Sequence, residues 1–301
     1  MKVDGFSRLL LIFLSLAITG ISACTVPVPS VGTLEPPEFD GARAFEDLEY
    51  QVNLGPRIPG TEGHAQIVEW LQAETSNAGW DVSVQETTAL GLPIRNVIAR
   101  RGEGSPWIIL GAHFDTRMFA DQDPDPEKRN LPVMGANDGA SGVAVLTELA
   151  KVLPADLEKQ VWLVFFDAED NGNIPGWEWI LGSSVFVQSL EVHPDQAIIV
   201  DMIGDADLNI YLEMNSDQEL SNEIWEIAAN LGYEENFIKQ PKYRMLDDHT
   251  PFLRAGITAI DIIDFDYPYW HTVEDTVDKV SPESLDAVGD TLLAWLLRDG
   301  E

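Results

Sequence analysis

Acidic residues and histidines follow most of the apolar runs that have the pattern of strands in this sequence. In chain order they are His113, Asp115, Asp138, Asp167, Glu169, Asp170, Asp201, Asp247, Asp248, His249 and His271. In an open α/β sheet, ligands bind in the crevice beyond the carboxyl ends of the strands. We therefore expect these side chains to converge on one site.

Imidazole nitrogens and carboxylate oxygens together form a donor set that suits Zn²⁺, and a catalytic zinc keeps one coordination position open. The adjacent acids Glu169 and Asp170 could divide the work, one binding metal while the other carries protons. A single Asp after a strand is more often a helix cap or a turn residue. Asp138 could simply cap a helix and Asp115 could simply form a turn, so the prediction of a metalloenzyme rests on the whole cluster.

Apolar strands alternate with amphipathic helices along the part of the chain that would position these residues. The pattern predicts strands at 82–86, 93–100, 107–110, 160–166, 197–200 and 257–263, and helices at 45–52, 63–78, 138–153, 178–190, 217–231 and 282–298. Thr61 is the expected N-cap of the second helix and Gly79 its C-cap. Strands that are apolar throughout indicate a sheet covered on both faces. We predict one α/β domain over 41–301, with a long functional loop at 117–134.

The charge of the chain excludes some classes of partner. The 301 residues include 51 acidic and 18 basic side chains, for a net charge of −33. A nucleic-acid-binding face needs clustered Lys and Arg, as does docking onto an anionic membrane surface. Hydrophobic residues are 45% of the chain, with nine Trp and twelve Phe, so a large core is expected and disorder is not.

The N-terminus has the features of an export signal. A basic start precedes an apolar run at 9–18, which is short for a membrane span but typical of a signal peptide. The sequence ISAC at 21–24 resembles a bacterial lipobox, in which the Cys is acylated; the alternative is an ordinary signal peptide with an incidental Cys. We predict a lipoprotein signal peptide at 1–23, a Pro-rich tether at 24–40 and an exported protein, anchored through Cys24 at the cell surface or in the periplasm.

Seven motifs resemble, in order, those of zinc aminopeptidases and the related glutaminyl cyclases. They are GPRIPGTEGH (55–64), AHFDTR (112–117), GANDGASGVAVL (135–146), VFFDAEDNG (164–172), VDMIG (200–204), DDHTPFLRAGI (247–257) and YWHTVEDT (269–276). The DAED sequence, the Trp177/Trp179 loop and Trp270 directly before His271 resemble the bacterial glutaminyl cyclases in particular. The resemblance covers about residues 50–298 and implies a single zinc aminopeptidase-like domain with a twisted, mixed, mostly parallel sheet flanked by helices on both faces.

The resemblance also implies the metal ligands. Asp138, Asp170 and His271 would bind one zinc. In two-metal aminopeptidases His113 is also a ligand, where it would join Asp138 and Asp201 on a second ion. In cyclases the corresponding His is typically not a ligand, so one zinc per chain is favoured and two are possible. Asp170 is one methylene shorter than the Glu commonly found at its position.

The remaining roles concern the substrate. Glu169 would be the acid/base that transfers protons, and Asp201 and Asp247 would complete the hydrogen-bond network around it. Trp270, together with Trp177 or Trp179, would form the wall of the substrate pocket. The implied activity converts the N-terminal Gln of peptides or proteins to pyroglutamate with release of ammonia. The alternatives are a zinc aminopeptidase and a binding lipoprotein that has lost its chemistry.

Four residues have no predicted role in catalysis or in metal binding. His64 and His193 are expected to be ordinary surface or helix residues. Asp248 and His249 are expected to brace their loop and not to contact substrate.

Overall fold

A computed structural model of the chain describes residues 37–298. The predicted signal peptide at 1–23, Cys24 and most of the tether at 24–40 lie outside the described residues, as do residues 299–301. In the described part, none of the helices combines the length and the apolar character needed to cross a bilayer.

Six strands form one mixed sheet, and two short strands pair separately. The strands are β1 Asp81–Ala89, β2 Leu92–Arg101, β3 Trp107–His113, β4 Gln160–Phe166, β5 Gln196–Asp201, β6 Ile210–Leu212, β7 Phe237–Pro241 and β8 Thr258–Ile263. The order in the main sheet is β1-β2-β4-β3-β5-β8. β2 is antiparallel to both of its neighbours, whereas β4, β3, β5 and β8 are parallel. The predicted mixed, mostly parallel sheet is therefore confirmed.

Helices cover both faces of this sheet, as predicted. They are α1 Gly41–Asn53, α2 Glu62–Asn77, α3 Ala140–Val152, α4 Leu181–Gln188, α5 Gln218–Leu231, α6 Thr250–Arg254 and α7 Pro282–Leu297, with a short 3-10 helix at Val277–Lys279. Alternate strand residues point to opposite sides. Ile108 and Leu110 join the core beneath α1, α2, α3, α5 and α7, and Ile109 joins the core beneath α4 and α6.

The N-cap of α2 is the predicted residue, and its C-cap lies one residue before the predicted one. The Thr61 hydroxyl accepts from the His64 amide at 3.3 Å, as an N-cap should. At the other end the C-cap is Ala78, and Gly79 is the following residue. Its φ of +87° is the left-handed conformation that commonly follows a helix and that glycine adopts without a steric penalty.

The chain reverses its direction of travel across the sheet next to β3. It leaves β3 through α3 on one face to form β4, then leaves β4 through α4 on the other face to form β5 on the far side of β3. Such a reversal opens a crevice at the carboxyl ends of the strands. His113 ends β3 and Asp201 ends β5, so both lie at this crevice.

Candidate active site

A pocket of about 210 Å³ lies at the crevice. Its lining comprises Asp138, Glu169, Asp170, Trp179, Asp201, Met202, Met245, Leu246, Asp247, Ile263, Phe265, Trp270 and His271. Residues from five separate motifs therefore meet, with acidic side chains on one part of the wall and apolar side chains on the rest. Of the residues proposed from sequence as ligands, catalytic groups or pocket walls, the lining omits His113 and Trp177.

Asp138, Asp170 and His271 form one candidate metal group. Each offers a ligand atom, and the three atoms lie within 4.8 Å of one another. His271 Nε2 lies 2.7 Å from Asp170 Oδ1 and 3.6 Å from Asp138 Oδ2. All three side chains are buried, so their polar atoms must find partners inside the protein.

His113, Asp138 and Asp201 form a second group that shares Asp138. His113 Nε2 lies 3.1 Å from Asp201 Oδ1 and 3.2 Å from Asp138 Oδ1. The two oxygens of Asp138 thus face different histidines, Oδ1 toward His113 and Oδ2 toward His271. This arrangement can hold one ion beside His271 or a pair of ions bridged by Asp138.

The residues fit the zinc that the sequence resemblance implies. Asp138 Oδ2 and Asp170 Oδ2 are buried without a hydrogen-bond partner among the described residues. Burial, and next the charge of Asp138, raises the pKa of Asp170 to about 6. Two orphaned carboxylate oxygens beside an imidazole nitrogen form a donor set that zinc binds well, and a cation would offset the electrostatic cost of burying them.

Three residues at this site have left-handed backbones without being glycine. Ala168, Met202 and His271 have φ values of +54°, +49° and +54°. Ala168 directly precedes Glu169, and Met202 directly follows Asp201. Such conformations cost of order 1–3 kcal/mol each and persist only where surrounding contacts impose them, which occurs mostly at functional sites.

Asp115 supplies such contacts to the loop that carries Glu169 and Asp170. Its carboxylate accepts from the backbone amides of Glu169 at 2.9 Å and Asp170 at 3.3 Å. The Asn171 side chain also donates to it, at 3.2 Å. Asp115 is therefore more than a local turn residue, because it ties the end of β3 to the loop after β4.

Asp275 performs the same function for Asp138. It accepts from the backbone amides of Asn137 at 2.8 Å and Asp138 at 3.2 Å, and from the Tyr267 hydroxyl at 2.7 Å. Asp138 does not cap α3, whose N-cap is Gly139 without a side-chain hydrogen bond. The Asp138 carboxylate faces the histidines instead, which rules out the simple capping role.

The long loop predicted to be functional orients His271. Asp121 Oδ1 lies 3.5 Å from His271 Nδ1, and Arg117 donates to Asp121 Oδ2 at 2.6 Å. Although burial opposes it, the nearby His271 and the hydrogen-bonded Arg117 hold the pKa of Asp121 well below its usual range. A carboxylate on the second nitrogen of a metal-binding imidazole fixes the orientation of the ring. Asp121 had no assigned role because its contact with His271 spans the fold.

Two of the three predicted tryptophans line the pocket. The Trp270 ring stacks on His271 with centroids 3.8 Å apart, and Trp179 stacks on the same ring at 6.1 Å. Trp177 does not line the pocket and is 8% exposed. It is buried in an apolar cluster with Ile94 and Ala168, and burial of its indole there removes it from the pocket wall.

Glu169 has the environment of a proton carrier. Burial, followed by the like charges of Asp247 and Asp170, raises its pKa well above the usual range. Burial likewise raises the pKa of Asp201 to about 7. A carboxyl group with a raised pKa can hold and release a proton near neutral pH.

Of the two expectations for His64, a surface residue or a helix residue, the second is met. His64 lies in α2 but is 1% exposed, and its Nε2 lies 2.8 Å from Asp167 Oδ2. Asp167 also accepts from the backbone amide of Arg95 at 2.6 Å, so it braces the base of the site and does not line the pocket. His193 is exposed, as expected.

Arg57 is a further buried residue, and the sequence analysis predicts no role for it. Its guanidinium donates to the carbonyl oxygens of Phe114 at 2.9 Å, Met134 at 2.8 Å and Gly135 at 2.6 Å. These contacts connect the end of β3 to the segment that directly precedes Asp138. The signal was present, because Arg57 and His64 both lie in the motif GPRIPGTEGH.

Comparisons with known proteins find similar sequences and similar structures. The sequence profile of peptidase family M28 matches residues 96–296. The crystal structure of Porphyromonas gingivalis glutaminyl cyclase is 35% identical with a TM-score of 0.81, over 86% of this chain and 98% of that one. A Zn-dependent exopeptidase from Parabacteroides distasonis is 31% identical with a TM-score of 0.82, over 87% and 99%. A glutaminyl-peptide cyclotransferase-like protein of Bos taurus is 25% identical over 80% of this chain and 71% of its own length.

Proposed function

Because the chain belongs to peptidase family M28, we propose that it is a glutaminyl-peptide cyclotransferase that depends on zinc. It converts the N-terminal Gln of peptides or proteins to pyroglutamate and releases ammonia. One observation carries the proposal. A small pocket joins Glu169, a candidate zinc group and the Trp270 indole, in a chain that is 35% identical to Porphyromonas gingivalis glutaminyl cyclase.

The pocket suits a Gln side chain that must fold back on its own amine. Trp270 and Phe265, which meet edge to face with ring centroids 5.1 Å apart, form an apolar wall on which the short aliphatic part of Gln can pack. The reaction is intramolecular, so holding the amine near the γ-carboxamide carbon supplies much of the rate enhancement. The acidic side of the pocket would bind the positively charged N-terminus before it loses its proton.

The acidic residues of the pocket have two proposed roles, zinc binding and proton transfer. Asp138, Asp170 and His271 would hold zinc, which when bound polarises the γ-carboxamide oxygen and stabilises the charge that develops on it. Glu169 would take a proton from the α-amine and pass it to the departing nitrogen, which leaves as ammonia. Asp201 and Asp247, which line the same pocket, would orient Glu169 or the amine.

Hydrolysis by an aminopeptidase is the alternative, and the product distinguishes the two reactions. We expect a Gln-initiated peptide to yield pyroglutamyl peptide and ammonia in equal amounts, measured by mass spectrometry and an ammonia assay. We expect a matched Leu-initiated peptide to remain intact. Free Leu would identify an aminopeptidase, and a metal-free protein without turnover on either peptide would identify a binding protein.

The number of zinc ions in the two groups that share Asp138 is a second point of distinction. In the proposed cyclase, zinc occupies the group that contains His271, and His113 is not a ligand. His113→Ala should therefore leave zinc bound in that group, whereas His271→Ala should release it. The measurement is the zinc content of each purified variant by inductively coupled plasma mass spectrometry. Loss of an ion from the His113 variant would favour a two-metal aminopeptidase.

We also propose that the protein is exported and held at a membrane by a lipid on Cys24. The support is the apolar run at 9–18, the sequence ISAC at 21–24 and the position of the only Cys of the chain. Cys24→Ser should block acylation and move the protein from the membrane fraction to the soluble fraction, with an altered mass of the mature N-terminus. Unchanged fractionation and processing would contradict the anchor and favour an ordinary signal peptide.

A further inference from the structure

A third cluster of ligand-type side chains lies behind the active-site pocket and shares no residue with the two groups around Asp138. Asp247, His249 and Asp261 each offer a ligand atom, and these atoms lie within 4.8 Å of one another. We call these three residues the rear cluster. Asp247 lines the pocket, whereas His249 and Asp261 are 0% and 1% exposed. The cluster thus extends from the pocket wall into the interior.

The rear cluster contains polar atoms that the protein leaves unpaired. Both ring nitrogens of His249 and both carboxylate oxygens of Asp261 are buried without a hydrogen-bond partner in residues 37–298. The His249 ring lies between two acids, with Nε2 3.5 Å from Glu213 Oε2 and Nδ1 3.5 Å from Asp261 Oδ2. These distances exceed those of ordinary hydrogen bonds. Buried polar groups are rarely left in this state, so something else must satisfy them.

The neighbours of the cluster do not supply what is missing. Glu213 is already satisfied by backbone amides, since it accepts from those of Asn215 at 2.8 Å, Ser216 at 2.7 Å and Met245 at 2.8 Å. Asp248 adds another buried carboxylate whose two oxygens have no partner in the described part of the chain. The region therefore concentrates negative charge around an imidazole whose two nitrogens have no hydrogen-bond partner among residues 37–298.

We infer that Asp247, His249 and Asp261 bind a divalent cation of the zinc or manganese type. An imidazole nitrogen with two carboxylates is a donor set for such ions, whereas calcium prefers oxygen ligands alone. This assignment goes beyond the proposed function and does not depend on the proposed reaction. The ion would bind Asp247 from behind and so fix the direction in which its carboxylate faces the pocket. Asp247 would then connect the rear cluster to the active site.

Metal titration of variants tests this assignment without reference to activity. The full chain is stripped with a chelator and titrated calorimetrically with Zn²⁺, and separately with Mn²⁺. We expect the His249→Gln variant to bind one equivalent fewer than the wild type. His64→Gln is the matched control, because His64 is also a buried His paired with an acid but belongs to none of the three metal groups. It should bind as many equivalents as the wild type.

Two further variants keep the result decisive. Asp261→Asn should lose the same equivalent, which guards against a His249 variant that does not fold, as judged by circular dichroism. His113→Gln should keep it. Equal stoichiometry in the wild type, His249→Gln and Asp261→Asn would overturn the proposal and mean that shared protons satisfy the cluster. Loss of the extra equivalent in His113→Gln alone would also overturn it and assign that ion to the group containing Asp201. Pyroglutamate formation is measured separately, so failure of the proposed reaction has a different signature.

Discussion

Replacing Glu169 with Gln should lower kcat for Gln-initiated peptides at least about 10²-fold and leave zinc bound. The amide is nearly the same size as the carboxyl group, so the pocket keeps its shape. The amide cannot act as an acid or a base near neutral pH, so proton transfer from the α-amine to the leaving nitrogen loses its carrier. The measurements are steady-state kinetics and metal content on the same preparation.

The structure explains why this effect should fall on kcat. Glu169 is not a member of any of the three candidate metal groups, so its replacement removes no ligand. Its backbone amide is held by Asp115 at 2.9 Å whatever its side chain is, so the loop that carries Asp170 should keep its position. The substrate should therefore still bind, with a KM close to that of the wild type.

A matched control distinguishes loss of the proton carrier from general damage to the acidic wall. Asp205 is also a buried carboxyl group, and burial raises its pKa, but it does not line the pocket. Asp205→Asn should leave kcat near the wild-type value. If Glu169→Gln retained full turnover, Glu169 would have no catalytic role and proton transfer would have to be assigned to another acid of the pocket.

The strands and their polar termini could be predicted because each depends on residues close together in sequence. The run QVWLVFF is confirmed residue by residue as β4, since the six consecutive apolar residues after Gln160, mostly β-branched or aromatic, leave little alternative. The strands β6 and β7 were missed. β6 has only three residues, and β7, FIKQP, ends in exposed polar residues and a proline without regular alternation. Short surface strands of this kind form because a neighbour offers a pairing edge.

The candidate ligands could likewise be named from sequence, but the residues that position them could not. Asp275 holds the amide of Asp138 across 137 positions of chain, and His64 reaches Asp167 across 103. No hydrophobic periodicity in the sequence indicates such contacts. The error over Trp177 has the same origin, because two tryptophans in one loop look equivalent until packing buries one beneath it and leaves the other in the pocket.

Asp138→Asn should abolish activity at ordinary zinc concentrations, because it should weaken zinc binding at least about 10²-fold. Replacing a residue that only hydrogen-bonds to a metal ligand already lowers metal affinity about 10–100-fold. Asp138 is the residue that both groups share, with one oxygen toward His113 and the other toward His271. An amide keeps the shape but offers one weaker oxygen and no charge. Zinc affinity is measured by competition with a chromogenic chelator, alongside the activity assay.

Asp275→Asn is the matched control for this change. It alters a carboxylate that contacts the backbone amides of Asn137 and Asp138, and it leaves every proposed ligand in place. Its cost in zinc affinity should lie within about 10–100-fold, below that of Asp138→Asn. An equal or larger loss in the Asp275 variant would mean that loop geometry, and not the Asp138 carboxylate, determines metal binding.

Excess zinc should then separate the two catalytic tasks. A weakened ligand set can be saturated by mass action, so added zinc should restore part of the activity of Asp138→Asn. Added zinc should not raise the activity of Glu169→Gln. In that variant zinc is already bound, and the missing group is the one that carries protons. Rescue of both variants, or of neither, would contradict the division of labour between Asp138 and Glu169. Rescue of only the first would assign metal binding and proton transfer to different acids of one pocket.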